Sequence, residues 1–182
     1  MKRSTEILLL LSCCLLFSCS GESIKTLFST QETRIESFLN SQLSANPGAY
    51  VVRNGGVQRL VLTKGTGDSL RADGHVAFEW AGYVMSGNSL SSGNLFGTNS
   101  LDVAKTAGWD FTDLSIFQIE TVDLGTADLV PGLKMGLKGV RGGEECIILF
   151  SGEYGFGNKP LGTIPANAAL AYQIRVESIS ND

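Results

Sequence analysis

The stretch from Leu129 to Tyr172 constrains the fold of this 182-residue chain more than any other. Val130, Leu133, Leu137 and Val140 recur at helical spacing, so one short helix buries one face. Gly142-Gly143 follows and is expected to end it, because glycine accepts the left-handed conformation that a helix end needs. Cys146 to Phe150 is then a short apolar run of strand type, closed by Ser151-Gly152. Beyond it come Glu153-Tyr154-Gly155-Phe156-Gly157, the pair Ile164-Pro165, and a last strand from Ala168 to Ile179. In that strand Leu170, Tyr172, Ile174 and Val176 point inward by period two.

The chain opens on a targeting pattern. Lys2 and Arg3 form a positive n-region, and Ile7 to Phe17 is an apolar core too short to span a bilayer comfortably. The run ends in Leu16-Phe17-Ser18-Cys19, which resembles the bacterial lipobox, where cleavage precedes a cysteine that becomes lipid-modified. Residues 1–18 are therefore expected to be a lipoprotein signal peptide, with Cys19 the lipid attachment site. In an ordinary secretory signal Cys19 would be incidental. Ser20 is not the aspartate of inner-membrane retention, so the expected location is the cell envelope at the outer membrane, on its periplasmic or its surface face. Of the four cysteines only Cys19 and Cys146 survive cleavage, so no disulfide framework forms within one chain. Cys146 reads as a small buried hydrophobe. The formal net charge of −4 is mildly acidic and argues against a nucleic-acid partner.

Residues 19–48 read as a spacer and an N-terminal amphipathic helix. Leu27, Phe28, Ile35, Phe38, Leu39 and Leu43 share one face, Ser29 with Glu32 fits a capping box, and Asn46-Pro47-Gly48 ends the helix. The helix docks on the domain behind it, or serves as a dimer helix or membrane stalk; the apolar face suits docking. Phe38 and Leu39 are the expected cover for Ile147 and Leu149. Tyr50 to Arg53 and Val57 to Leu62 read as a hairpin joined by Asn54-Gly55-Gly56. Gly65-x-Gly67 in the next loop lacks the third glycine of a dinucleotide fingerprint, since Leu70 stands there. Val76 to Val84 is a strand with Val76, Phe78 and Trp80 on one face. Met85 to Ser115 is rich in Gly, Ser and Asn and longer than most connections in compact domains. Ile116 to Leu124 returns as a strand.

The order and gaps of these elements resemble the FKBP-type peptidyl-prolyl isomerases. That family carries a Val-Ile-x-Gly-Trp-x-x-Gly helix, a Gly-bounded strand, a Pro-x-x-Tyr-x-Tyr-Gly turn and an Ile-Pro-Pro-x-x-x-Leu-x-Phe strand. The matching residues here are Leu129-Val130-Pro131-Gly132-Leu133 with Gly136, then Gly143, then Glu153 to Gly157, then Ile164-Pro165 with Leu170 and Tyr172. The resemblance implies an α+β fold: a twisted antiparallel sheet wrapped on a short helix, with an extra N-terminal helix. It places an FKBP-like domain over residues 49–182 with an insertion near 85–115. It implies a proline pocket made by Trp80, Phe96, Phe117, Leu129, Val130, Leu133, Phe156, Ile164 and Tyr172. From the residues alone, all nine read equally well as core. The chain departs from the family where Leu133 replaces the floor tryptophan, Phe156 the hydroxyl-bearing tyrosine, Gly97 an aspartate and Ala166 the second proline. Asp102, Asp110 and Asp113 on the insertion are candidates for the missing carboxylate, and Trp80 for the volume lost at Leu133. Asn158 to Thr163 corresponds to the flap over the pocket.

No metal set is visible, since His75 is the only histidine and Cys146 has no Cys-x-x-Cys partner. No Gly-x-Ser-x-Gly occurs, and no carboxylate pair is evident. Prolyl isomerisation needs none of these, nor any cofactor. The function implied is a peptidyl-prolyl cis-trans isomerase that helps exported proteins fold, with proline-containing polypeptides as clients and the membrane reached through the lipid anchor. An FKBP-like peptide-binding lipoprotein with weak or no catalysis is the alternative. A glycan-binding or adhesive lipoprotein using the insertion is a third.

Overall fold

The computed structural model describes residues 2–119 and 121–182, with side chains from Gly21 onward. The expected signal peptide 1–18 and the lipid site at Cys19 fall on side chains outside that description. Helix α1 spans Lys2–Ala45. It runs straight through Ser29, so the expected capping box is not its start. The hydroxyls of Thr26, Thr30, Thr33 and Ser37 donate to carbonyls four residues back, so they are satisfied inside the helix rather than at a cap. The helix ends before Asn46-Pro47-Gly48, as the sequence indicates.

Seven strands form one antiparallel sheet: β1 Tyr50–Asn54, β2 Val57–Thr63, β3 His75–Val84, β4 Leu95–Thr98, β5 Thr121–Asp123, β6 Glu145–Phe150 and β7 Leu170–Ser180. Their order is β1-β2-β6-β7-β3-β4, with β5 pairing on β3. The sheet is covered on both faces, and β6 shows how. Cys146, Ile148 and Phe150 join the cluster that contains Leu133, Leu137, Val140, Tyr172, Ile174 and Val176. Ile147 and Leu149 join the opposite cluster with Ile35, Phe38 and Leu39 of α1. A near-continuous apolar strand is thus explained by two covers rather than one.

The first cover is helix α3, Pro131–Leu137. It lies so close to β6 that a Cβ on Gly132 would stand 2.3 Å from the Phe150 ring, and one on Gly136 would stand 2.2 Å from Ile148. The helix stops at Leu137 and not at Gly142-Gly143. Gly139, with φ at 80°, makes the left-handed exit three residues earlier than expected. The reason is Arg59 of β2. Its guanidinium donates to the carbonyls of Gly136 at 2.8 Å, Lys138 at 2.7 Å and Gly139 at 3.3 Å. It also pairs with Glu144 at 3.2 Å, and both side chains are buried.

Two further expectations change. Met85 to Ser115 is not a featureless connection, since it holds β4 and a helix α2, Leu101–Thr106. Leu95, Val103, Ala107 and Trp109 pack there on Ala81 and Tyr83 of β3. The strand expected over Ile116 to Leu124 shrinks to Thr121–Asp123. Asn99 accounts for the loss. Its side-chain oxygen accepts from the Trp80 amide at 2.7 Å, and its amide donates to the Phe78 carbonyl at 3.0 Å. One side chain thereby fills the stretch of β3 edge between β5 and β4, and residues 116–118 have no ladder to join.

Candidate functional site

A cavity of about 450 Å³ opens between β3, β7, the start of α3 and the loops beyond them. Strand β3 supplies Phe78 and Trp80 by period two, and β7 supplies Tyr172. The approach to α3 supplies Leu129 and Val130, and its first turn supplies Leu133. Pro131 at the first helical position suits this entry, because its missing N–H would have had no partner there. Phe156 closes one side from the turn after β6. Thr98, Asn99, Ser115, Ile116, Gln118, Val122 and Asp128 complete the wall.

One side of the cavity is aromatic. Tyr172 stacks on Phe150 with ring centres 6.0 Å apart, and Trp80 lies 5.9 Å away, tilted. Phe96 meets Tyr172 edge-on at 5.6 Å and Phe156 edge-on at 6.4 Å. Such edge-to-face geometry is what ring quadrupoles favour. Burial raises the Tyr172 hydroxyl above its ordinary value, so it stays a protonated donor at neutral pH. The family motif has phenylalanine there; this chain carries its hydroxyl at Tyr172 and lacks one at Phe156.

Of the nine expected pocket residues, the structure brings six to the cavity wall: Trp80, Leu129, Val130, Leu133, Phe156 and Tyr172. Phe96 sits behind, through its two ring contacts. Ile164 is buried in the cluster beneath the sheet. Phe117 is a correction. It stands in a turn outside any strand, with its ring 4.8 Å from Phe111. The missing carboxylate also differs from expectation. Asp102 borders a separate cavity beside α2, and Asp113 accepts the Ser115 amide at 2.8 Å. Among the described residues, the carboxylate at the wall is Asp128. It lies one residue before the Leu129 motif, and that adjacency is the signal a reader of the sequence has. Gly97 has a reason of its own: a Cβ there would stand 2.8 Å from the end of the Trp80 indole.

Residues 117–177 match the family model described as FKBP-type peptidyl-prolyl cis-trans isomerase. FK506-binding protein 1 of Aspergillus oryzae is 24% identical over 125 residues, covering 69% of this chain and 99% of that protein. Over its C-terminal part the chain matches the FKBP-type isomerases, and its fold is theirs. FK506-binding protein 1B of Aspergillus fumigatus is 34% identical to this chain over 59 residues, which cover 32% of the chain and 49% of that protein. Two bacterial structures share the fold. FkpA from Escherichia coli superposes with a TM-score of 0.55 at 16% identity, over 99% of this chain and 73% of that one. The peptidyl-prolyl cis-trans isomerase of Pseudomonas syringae pv. tomato gives 0.57 at 18% identity, over 86% of this chain and 96% of that one.

Proposed function

We propose that this chain is a peptidyl-prolyl cis-trans isomerase that assists the folding of exported proteins. The observation that carries the reading is the apolar cavity walled by Trp80, Val130, Leu133, Phe156 and Tyr172 on this fold. The reaction is rotation about a partial double bond, with a barrier of about 18–20 kcal/mol. The planar amide is charge-separated and the twisted one less so. A dry apolar wall therefore favours the twisted state over the planar one, and that difference in binding is catalysis. The Tyr172 hydroxyl is a donor for the substrate carbonyl, and Asn99 and Asp128 give the cavity a polar side. No metal or cofactor enters this chemistry.

Peptide capture without catalysis is the second reading, favoured by Phe156, which is 41% exposed and has no hydroxyl to position a bound peptide. A protease-free assay on proline peptides with a bulky apolar residue before the proline separates the two. Uncatalysed exchange takes tens to hundreds of seconds, so modest catalysis is measurable. The lipobox-like Leu16 to Cys19 supports anchoring at the cell envelope through Cys19. Cys19→Ala is expected to move the protein from the detergent-extracted membrane fraction to the soluble one; two soluble forms would make Cys19 incidental.

A further inference from the structure

Helix α1 does more than cover the sheet. Gln31, on its docked face, is only 6% exposed. Its side-chain oxygen accepts the Gly152 amide at 2.8 Å, and its side-chain nitrogen donates to the Asn167 carbonyl at 2.8 Å. One amide thus joins two chain segments that lie fifteen residues apart, as a strand neighbour would. The two segments are pinched together there. A Cβ on Gly152 would stand 2.1 Å from the Asn167 carbonyl oxygen, and Asn167 holds φ at 55°. That left-handed conformation is uncommon outside glycine and is best tolerated by asparagine. The Asn167 amide in turn donates to the Gly157 carbonyl at 2.8 Å. Everything between these points is one loop, and it carries Phe156, the cavity wall.

We infer that Gln31 is a positioning residue for the proline pocket: from α1 it holds the base of the Gly152 to Asn167 loop and so fixes the Phe156 wall. The inference rests on the isomerase reading for its kinetic consequence and on the hydrogen bonds alone for its structural one. Without Gln31, the Gly152 N–H and the Asn167 carbonyl lose their shared partner, and nothing else described bonds them. The loop base then relaxes toward other partners. Small misplacements of a binding wall are costly to catalysis.

The test compares Gln31→Met with Phe38→Leu in the full chain. Methionine keeps the length of the side chain and removes both hydrogen bonds. Phe38→Leu weakens the same helix docking without touching the bridge. Gln31→Met is expected to lose about tenfold in kcat/KM. The loss should lie mainly in kcat, since the wall favours twisted over planar proline. It should also shift the ring resonances of Phe156 and Trp80. Phe38→Leu is expected to lower Tm yet keep kcat/KM within about twofold and leave those resonances in place. Equal kinetic losses in both variants, or unmoved resonances in Gln31→Met, would overturn the positioning role. An inactive wild-type protein would instead overturn the isomerase reading, and the resonances alone then decide the role of Gln31.

Discussion

At the residue scale, the departures from the family pattern are coupled rather than scattered. Trp80 and Gly97 face each other so closely that a Cβ at 97 would overlap the indole. The family's aspartate therefore cannot simply be restored. Gly97→Asp alone should cost about 1–3 kcal/mol through overpacking. Combined with Trp80→Tyr, the family's residue at that place, it should recover most of that loss. Urea denaturation of the two variants checks the pair; an equal cost in both would mean that Trp80 is not the obstacle. This coupling is invisible in the sequence, where positions 80 and 97 are merely two unusual residues. The same holds for Asn99. As a string it extends Phe96-Gly97-Thr98, and only the fold reveals that its amide replaces a strand pairing.

At the element scale, periodicity located most of the strands and the helix that ends at Leu137. It misplaced ends wherever a distant side chain decided them. The exit from α3 is set by Arg59, seventy-seven residues before Gly136. No local signal carries that. The cap expected at Ser29 failed because the helix already runs through it, and the Ser29 carbonyl accepts from the Thr33 hydroxyl inside the helix. Removing Arg59 tests its place in the element. Arg59→Met should cost about 3–5 kcal/mol, since it strands the Glu144 carboxylate in a buried site and frees the carbonyls of α3.

Glu144 adds a pH dependence. Burial raises its carboxyl above the ordinary 4.5, and Arg59 pulls the other way. A raised folded-state value gives stability that is fully present below the unfolded value and is lost as pH rises through the folded one. Glu144→Gln has no proton to lose. Its stability relative to wild type should therefore rise as pH climbs above the ordinary carboxyl value in urea titrations. A difference that stays constant with pH would remove Glu144 from the pH response.

At the scale of the whole molecule, the sheet holds two apolar faces and needs both helices. The alternation of β6 gave both away in the sequence, because Ile147 and Leu149 had no place in water. Phe38 is buried over them. Phe38→Ala should cost about 3–5 kcal/mol, with a matching loss of α1 protection in hydrogen exchange. Destabilisation without any change in exchange along α1 would put the cover elsewhere. Six residues that line the cavity were legible because their motifs are contiguous. Phe117 was not, because its expected strand depends on an edge that Asn99 occupies.

The isomerase reading stands most directly on proline-peptide exchange by the wild-type chain beside Val130→Asp. Val130 borders the cavity and is the N-cap of α3, with extended ψ of 134°. Aspartate is among the best N-cap residues, so the substitution charges the pocket while favouring the helix. The expected result is acceleration by wild type, loss of that acceleration in Val130→Asp, and unchanged circular dichroism. A folded wild-type protein that gives no acceleration at high concentration, or a Val130→Asp protein as active as wild type, would contradict it.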